Sequence, residues 1–246
     1  MDAIVVTGAS RGIGAAVARL AAERGFAVAV NYATDRSGAE SVVAEIARRG
    51  GKATAIAADV SREIDVLRLF DEAAKLGPLK ALVNNAGITG GISRLENASA
   101  ETMERVLAIN VLGTMLCARE AVKRMSTKRG GAGGAIVNVG SRASQRGGAG
   151  DYVFYAASKG AVDSFTIGLG IEVAAEGIRV NAVSPGFIDT EIHARSGAPD
   201  RAKTIVPTIP MQRMGTAEEI AETVLWLLSP AASYVTGAIL PVGGGR

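Results

Sequence analysis

The residues Ala3 to Val6 are apolar without interruption. They run straight into Thr7-Gly8-Ala9-Ser10-Arg11-Gly12-Ile13-Gly14 and then an alanine-rich stretch to about Arg24. A wholly apolar strand suits a parallel sheet covered by helices on both faces, and the turn behind it suits a ligand. Glycines there let the backbone come close to a bound group, and the helix beyond offers unpaired N–H groups and the positive end of its dipole to a pyrophosphate. The glycines Gly8, Gly12 and Gly14 are spaced Gly-x-x-x-Gly-x-Gly, which is not the Gly-x-Gly-x-x-Gly of the common dinucleotide fingerprint. A turn made only for strand-helix packing is the alternative reading of this segment.

Strand and helix go on alternating. Strands are expected at Ala27 to Tyr32, Ala53 to Ala58 and Lys80 to Asn84, with helices at about Ser37 to Arg49 and Glu63 to Lys75 between them. This is the pattern of βαβ units, whose right-handed crossovers bring every strand's C-terminal end to one edge of the sheet, where ligands bind. Those ends carry Thr7-Gly8, Asn31-Tyr32, Asp59-Val60, Asn84-Asn85-Ala86-Gly87, Gly140-Ser141 and Ser184-Pro185-Gly186. Packing alone does not require polar and small residues at each of them.

A long helix is expected from about Ala100 to Lys128, with Ser99 as N-cap and Asn110 in its middle, where a solvated or core-satisfying amide is as good a reading as a functional one. A strand at Ala135 to Gly140 follows, then a helix from Tyr155 to about Glu176 with Tyr155, Lys159, Val162, Thr166, Leu169 and Val173 on one stripe, and a strand at Ile178 to Ser184. The stretch at about 187 to 215 holds Pro199, Pro207 and Pro210 and reads as a substrate loop. His193 lies in it and is not expected to be catalytic. Thr216 to Glu219 forms a capping box for a last helix to about Ser229, before a strand at Ala238 to Val242.

No linker-like run divides the 246 residues, so one domain over 1–246 is expected. With Cys117 the only cysteine and His193 the only histidine, neither an intrachain disulfide nor a multi-His or multi-Cys metal site can form, and no metal is expected. No basic leader precedes the first strand and no apolar run approaches the ~20 residues of a membrane span, which points to a cytosolic protein without a membrane partner. The net charge of +3 is scattered among acids, so nucleic acid is not an expected partner.

Chemistry gathers between Ser141 and Gly160. Tyr155 and Lys159 are four residues apart in a helical run and so share a face, one turn apart. An ammonium beside a phenol favours the phenolate and lowers a pKa that is ordinarily about 10, which makes Tyr155 a candidate proton donor and acceptor. The spacing alone is common. Tyr152 and Ser144 are neighbouring competitors, but Tyr152 has Ala156 rather than a lysine four residues on.

Together these residues resemble a known family. The chain is similar over essentially its whole length to the classical short-chain dehydrogenase/reductases, through Thr7-Gly8-x-x-x-Gly12-x-Gly14, Asp59-Val60, Asn84-Asn85-Ala86-Gly87, Asn110, Ser141, Tyr155-x-x-x-Lys159 and Pro185-Gly186-x-x-x-Thr190. The resemblance runs toward the 3-oxoacyl-carrier-protein reductase and sugar dehydrogenase types. It implies a Rossmann-type three-layer αβα fold with a doubly wound, seven-stranded parallel sheet, a homotetramer, and hydride transfer between a nicotinamide and a small-molecule carbonyl or alcohol substrate. It also implies roles. Tyr155 would be the general acid/base, Lys159 would acidify it and hold the nicotinamide ribose, Ser141 would hold the substrate oxygen, and Asn110 would order a water beside Lys159. The implied cofactor set is Gly8, Ser10, Arg11, Gly12, Ile13, Gly14, Asn31, Tyr32, Asp59, Val60, Asn84, Ala86, Gly87, Tyr155, Lys159, Pro185, Gly186, Ile188 and Thr190. Two departures stand out. Ser141 lies 14 residues before Tyr155, roughly one more than in many relatives, and the usual C-terminal Val-Asp-Gly-Gly reads Val242-Gly243-Gly244-Gly245.

The second strand bears on the cofactor. An NAD site places a carboxylate at its end for the adenosine ribose, whereas this one ends Val30-Asn31-Tyr32-Ala33-Thr34, with no acid before Asp35. Arg11 and Arg36 stand where a guanidinium would meet a 2′-phosphate, so NADP is expected over NAD. A dinucleotide-binding sensor or scaffold without turnover is the competing function, and it has no physical need for the set Asn110, Ser141, Tyr155 and Lys159.

Overall fold

The computed structural model describes residues 1–189 and 204–246. Seven parallel strands lie in the order β3-β2-β1-β4-β5-β6-β7: β1 (Ala3–Val6), β2 (Ala27–Tyr32), β3 (Lys52–Ala57), β4 (Leu79–Asn84), β5 (Gly134–Val139), β6 (Ile178–Pro185) and β7 (Ile239–Val242). The helices are α1 (Gly12–Glu23), α2 (Arg36–Arg48), α3 (Glu63–Ala74), α4 (Ala100–Leu107), α5 (Thr114–Met125), α6 (Ala143–Arg146), α7 (Val153–Val173) and α8 (Ala217–Leu228).

Alternation along β1 shows why apolar strands demand this arrangement. Ile4 and Val6 turn toward α1, α2 and α8, among Val17, Ala21, Ile46 and Val224, while Ala3 and Val5 turn toward α3, α5 and α7, among Leu69, Phe70, Cys117 and Val173. Neither face is left to water. Val5 pairs with Ala29 on β2 and with Leu82 on β4, so β1 is an interior strand of the sheet. The capping box forms as the sequence indicates: Glu219 N–H donates to Thr216 Oγ1 at 3.2 Å, and Thr216 N–H donates back to Glu219 Oε2 at 2.9 Å.

Two elements differ from the sequence reading. The single helix expected from Ala100 to Lys128 is instead α4 and α5, joined by a wider helical turn over Ala108–Gly113. Inside it the Thr114 hydroxyl donates to the Asn110 carbonyl at 2.8 Å, a side-chain bond that competes with the helical ladder. The short helix α6 was not foreseen, and it takes up the long connection between Ser141 and Tyr155. The expected substrate loop is described only in part, and Thr190 and His193 lie outside the described residues.

A buried polar chain crosses the middle of the sheet. Asn84 Nδ2 donates to Asn138 Oδ1 at 2.9 Å, and Asn138 Nδ2 donates to Thr166 Oγ1 at 2.9 Å, tying β4 to β5 and β5 to α7. Asn138→Ala strands both neighbours inside the core and should cost about 1–3 kcal/mol in unfolding free energy. Urea unfolding of the variant measures this, and a loss within the scatter of surface substitutions would contradict the linkage.

Candidate active site

The ends of β1, β4, β5 and β6 border a cavity of about 790 Å³. The strand order reverses between β1 and β4, so the chain leaves these two strands toward opposite faces and a crevice opens between them. Gly8, Ser10, Arg11, Gly12, Ile13, Tyr32, Ala86, Gly87, Pro185, Gly186 and Ile188 line the cavity, together with Ser141, Tyr155 and Lys159. Other residues of the expected set stand behind this wall. Asn31 Oδ1 accepts from Gly8 N–H at 3.1 Å while its Nδ2 donates to Ala58 O at 3.0 Å, so it braces the glycine turn. Gly14 packs against Asn85 and the Gly8 carbonyl. The Asp59 carboxylate accepts from the Ser61 N–H and hydroxyl at 3.0 and 2.7 Å, facing the start of α3, and Val60 and Asn84 are buried.

The phosphate end is a cradle of backbone. Gly8 has φ of 61°, and a Cβ there would meet Ala86 Cα at 2.9 Å, so this turn closes on the end of β4 only as glycine. No side chain caps α1 and no acid sits in its first turn, which leaves its N-terminal N–H groups to an anion. The residues therefore fit the pyrophosphate of a dinucleotide.

At the adenosine end the structure corrects one expectation. Arg36 turns to the surface and pairs with Glu40 at 2.7 Å, away from the cavity. Asp35 is ion-paired with Arg11 instead and caps α2 by accepting from Gly38 N–H at 3.1 Å. Those contacts, against the opposing effect of burial, hold its carboxyl below the usual carboxylate range. Only Arg11 of the two arginines lines the cavity, and it does so beside a carboxylate.

The four expected catalytic residues converge at the other end. Lys159 is buried on α7 and its Nζ donates to Val139 O, the last carbonyl of β5, at 2.8 Å. The same Nζ lies 5.8 Å from the centre of the Tyr155 ring. Tyr155 is stacked edge-on against Tyr152, with ring centres 5.3 Å apart. Asn110 is fully buried in the widened turn. Its Oδ1 accepts from Ile88 N–H at 2.9 Å, and its Nδ2 donates to Ile88 O at 2.9 Å and to Ser158 Oγ at 3.0 Å. Ser158 in turn donates to Tyr155 O at 2.7 Å, which connects Asn110 to the backbone of the tyrosine. Ser144, the competing serine, donates to the Ser141 carbonyl at 2.8 Å and so supports the loop.

Electrostatics here run opposite to the sequence expectation. Burial pushes the Tyr155 phenol up to about 12, against a lowering hydrogen bond from Ser141. The same burial pulls Lys159 down to about 8, opposed by the charge of Asp163 one turn further on. Desolvation disfavours both charged forms and outweighs the attraction between them. Tyr155 therefore rests as a neutral donor.

Residues the sequence reading passed over also reach the cavity, namely Arg142, Arg146, Phe187 and Arg246, as does Tyr152, which it set aside as a competitor of Tyr155. Arg142 and Arg146 lie within the Ser141 to Gly160 stretch, where their charge was a readable signal. Arg246 comes from the far end of the sequence and gave none.

A family model described as Enoyl-(Acyl carrier protein) reductase matches residues 8–246. Over all of both chains the protein is 53% identical to the Uncharacterized oxidoreductase YgfF of Escherichia coli (strain K12). The chain belongs to the short-chain dehydrogenase/reductases. It is 38% identical to Glucose 1-dehydrogenase 2 of Bacillus subtilis (strain 168), over 98% of this chain and 93% of that one. Its fold superposes with a TM-score of 0.91 on the crystal structure of a blue fluorescent protein from a metagenomic library in complex with NADPH. That protein is 36% identical, and the match covers 99% of this chain and 97% of the other. The protein is thus an NAD(P)-dependent oxidoreductase of this family, and among its described residues no helix is long and apolar enough to cross a membrane.

The depressed Lys159 makes a prediction about stability. The folded protein releases this proton near pH 8 and the unfolded chain only near about 10.4, so unfolding free energy should rise with pH across that window. Urea midpoints measured near pH 7.5 and near pH 9.5 should show a gain in the wild type that Lys159→Met lacks. An equal change in both would show that Lys159 is not the group responsible.

Proposed function

We propose that the protein is an NADP(H)-dependent oxidoreductase that moves a hydride between nicotinamide and the carbon of a carbonyl or secondary alcohol, with Tyr155 as general acid/base. The observation that carries this reading is the convergence of Ser141, Tyr155 and Lys159 on one cavity wall, with Lys159 Nζ held by Val139 O and 5.8 Å from the centre of the Tyr155 ring. The nicotinamide, when bound, supplies or accepts the hydride. In the reducing direction, negative charge grows on the substrate oxygen. The Ser141 hydroxyl holds that oxygen and Tyr155 gives it a proton as the charge develops. A phenol held neutral by burial suits this donor role. Lys159 Nζ, fixed by Val139 O, orients toward the ribose and returns a proton to Tyr155. Across Gly87, whose missing Cβ would stand 3.2 Å from Asn110 Oδ1 and 3.5 Å from Lys159 Nζ, a bridging water suits the link to solvent.

NADP is preferred over NAD on this reading because Arg11 lines the adenosine end and Asp35 is already engaged by Arg11 and by the N-terminus of α2. The similar structure holding NADPH supports it. Gly12 and Ile13 would hold the pyrophosphate, and Ile188, which lines the same cavity, would stand on the nicotinamide side. A reducing, cytosolic setting goes with the single cysteine, Cys117, which is buried and free. A homotetramer goes with Leu107, Leu112 and Met115 on the α4–α5 segment and Ile167 and Ile171 on α7, all exposed on helices that pack together.

Tyr155→Phe removes the transferable proton and little contact area, so kcat should fall by about 10²–10⁴ with cofactor affinity nearly unchanged. A variant keeping a substantial part of wild-type kcat sinks the assignment. Arg11→Ala should lower kcat/KM for NADPH selectively. A wild-type preference for NADH, or equal losses with both cofactors, overturns the cofactor reading. Light scattering of a monomer at micromolar concentration refutes the tetramer.

A further inference from the structure

The substrate end of the cavity carries three arginines. Arg142, Arg146 and Arg246 line it, and Asp151 lines the same cavity. Arg142 follows Ser141 directly, and its N–H donates to Pro185 O at 3.0 Å, so its side chain starts where the ends of β5 and β6 meet. Arg142 and Arg146 flank α6 four residues apart and share a face, where like charges repel unless an anion lies between them.

Packing of the far end of the sequence supports the cluster. A Cβ on Gly243 would stand 3.3 Å from Arg142 Cγ and 2.9 Å from the Arg246 oxygen, so any side chain there would crowd Arg142 and the Arg246 backbone. The glycine that departs from the family pattern thus makes room for an arginine. Arg142 Nε then donates to Arg246 O at 2.9 Å and another of its N–H groups to Gln145 Oε1. Among the described residues this uses two of the five donors a guanidinium has. The Arg246 guanidinium is stacked 4.7 Å from the centre of the Phe187 ring. Clipping the chain end to the wall accounts for Arg142 and Arg246 in part. It does not account for Arg146, exposed at the cavity rim, for which no side-chain bond or ion pair is found among the described residues.

We propose that the substrate is an oxo acid or hydroxy acid, whose carboxylate is held by Arg142 and Arg146, with Arg246 beside them, while Ser141 and Tyr155 hold its carbonyl or alcohol oxygen. This rests on the redox reading above. Guanidinium forks match carboxylates with paired charge-assisted bonds, and a bound carboxylate relieves the repulsion across α6.

The test compares 2-oxo and 3-oxo acids with their methyl esters, using NADPH and the full-length protein. The best acid should exceed its ester in kcat/KM by about tenfold or more, chiefly through KM. Arg146→Ala should cost the acid about tenfold more than the ester, and Arg146→Lys should restore part of the loss. Esters turned over as well as acids, equal losses for both, or an Arg146→Ala variant whose affinity for NADPH falls in step would each overturn the inference. Calorimetric binding of the same acids to the Tyr155→Phe protein with NADPH separates this from failure of the redox reading. If nothing turns over yet an acid binds in an Arg146-dependent way, the redox reading fails and the anion site stands. Without such binding, the anion site fails.

Discussion

A parallel sheet cannot leave either face to water, and the rest of this molecule follows from that constraint. Strands such as β1 spend every side chain on packing, to α1, α2 and α8 on one face and to α3, α5 and α7 on the other. Chemistry is then left to the strand ends. The order reversal between β1 and β4 opens the crevice at that edge, and the glycine turn, the Asn84 to Gly87 segment and the Ser141 loop all arrive there because their strands end there.

Burial serves packing and catalysis at once. Lys159 is buried where it reaches the end of β5, and the Val139 carbonyl is the partner it finds. The desolvation that comes with this burial sets the resting state, a neutral phenol at Tyr155 and a weakened ammonium at Lys159. On the proposed reading, proton transfer to a growing alkoxide would begin from that state.

Local patterns were legible in the sequence. Unbroken apolar runs marked the strands, the capping box marked α8, and Tyr155 and Lys159 stood at helical spacing. The structure brings them to one wall. What was not legible depended on distant parts of the chain. The sign of the Tyr155 shift follows from how deeply the pair is buried, which four residues of spacing do not reveal. Arg36 and Arg11 looked equivalent until α2 turned one toward Glu40 and left the other beside Asp35. The widened turn at Asn110 is accompanied by a bond from a hydroxyl four residues on, and a helical pattern does not register it. Arg246 meets Phe187 only because β7 lies next to β6.

The central claim is direct hydride transfer at the wall formed by Ser141, Tyr155 and Lys159. Incubating the protein with an accepted ketone and NADPH carrying deuterium at both nicotinamide C4 positions, in ordinary water, and reading the product by NMR tests it most directly. The account predicts deuterium on the carbinol carbon and none on oxygen after exchange. An alcohol product without label at that carbon would contradict it.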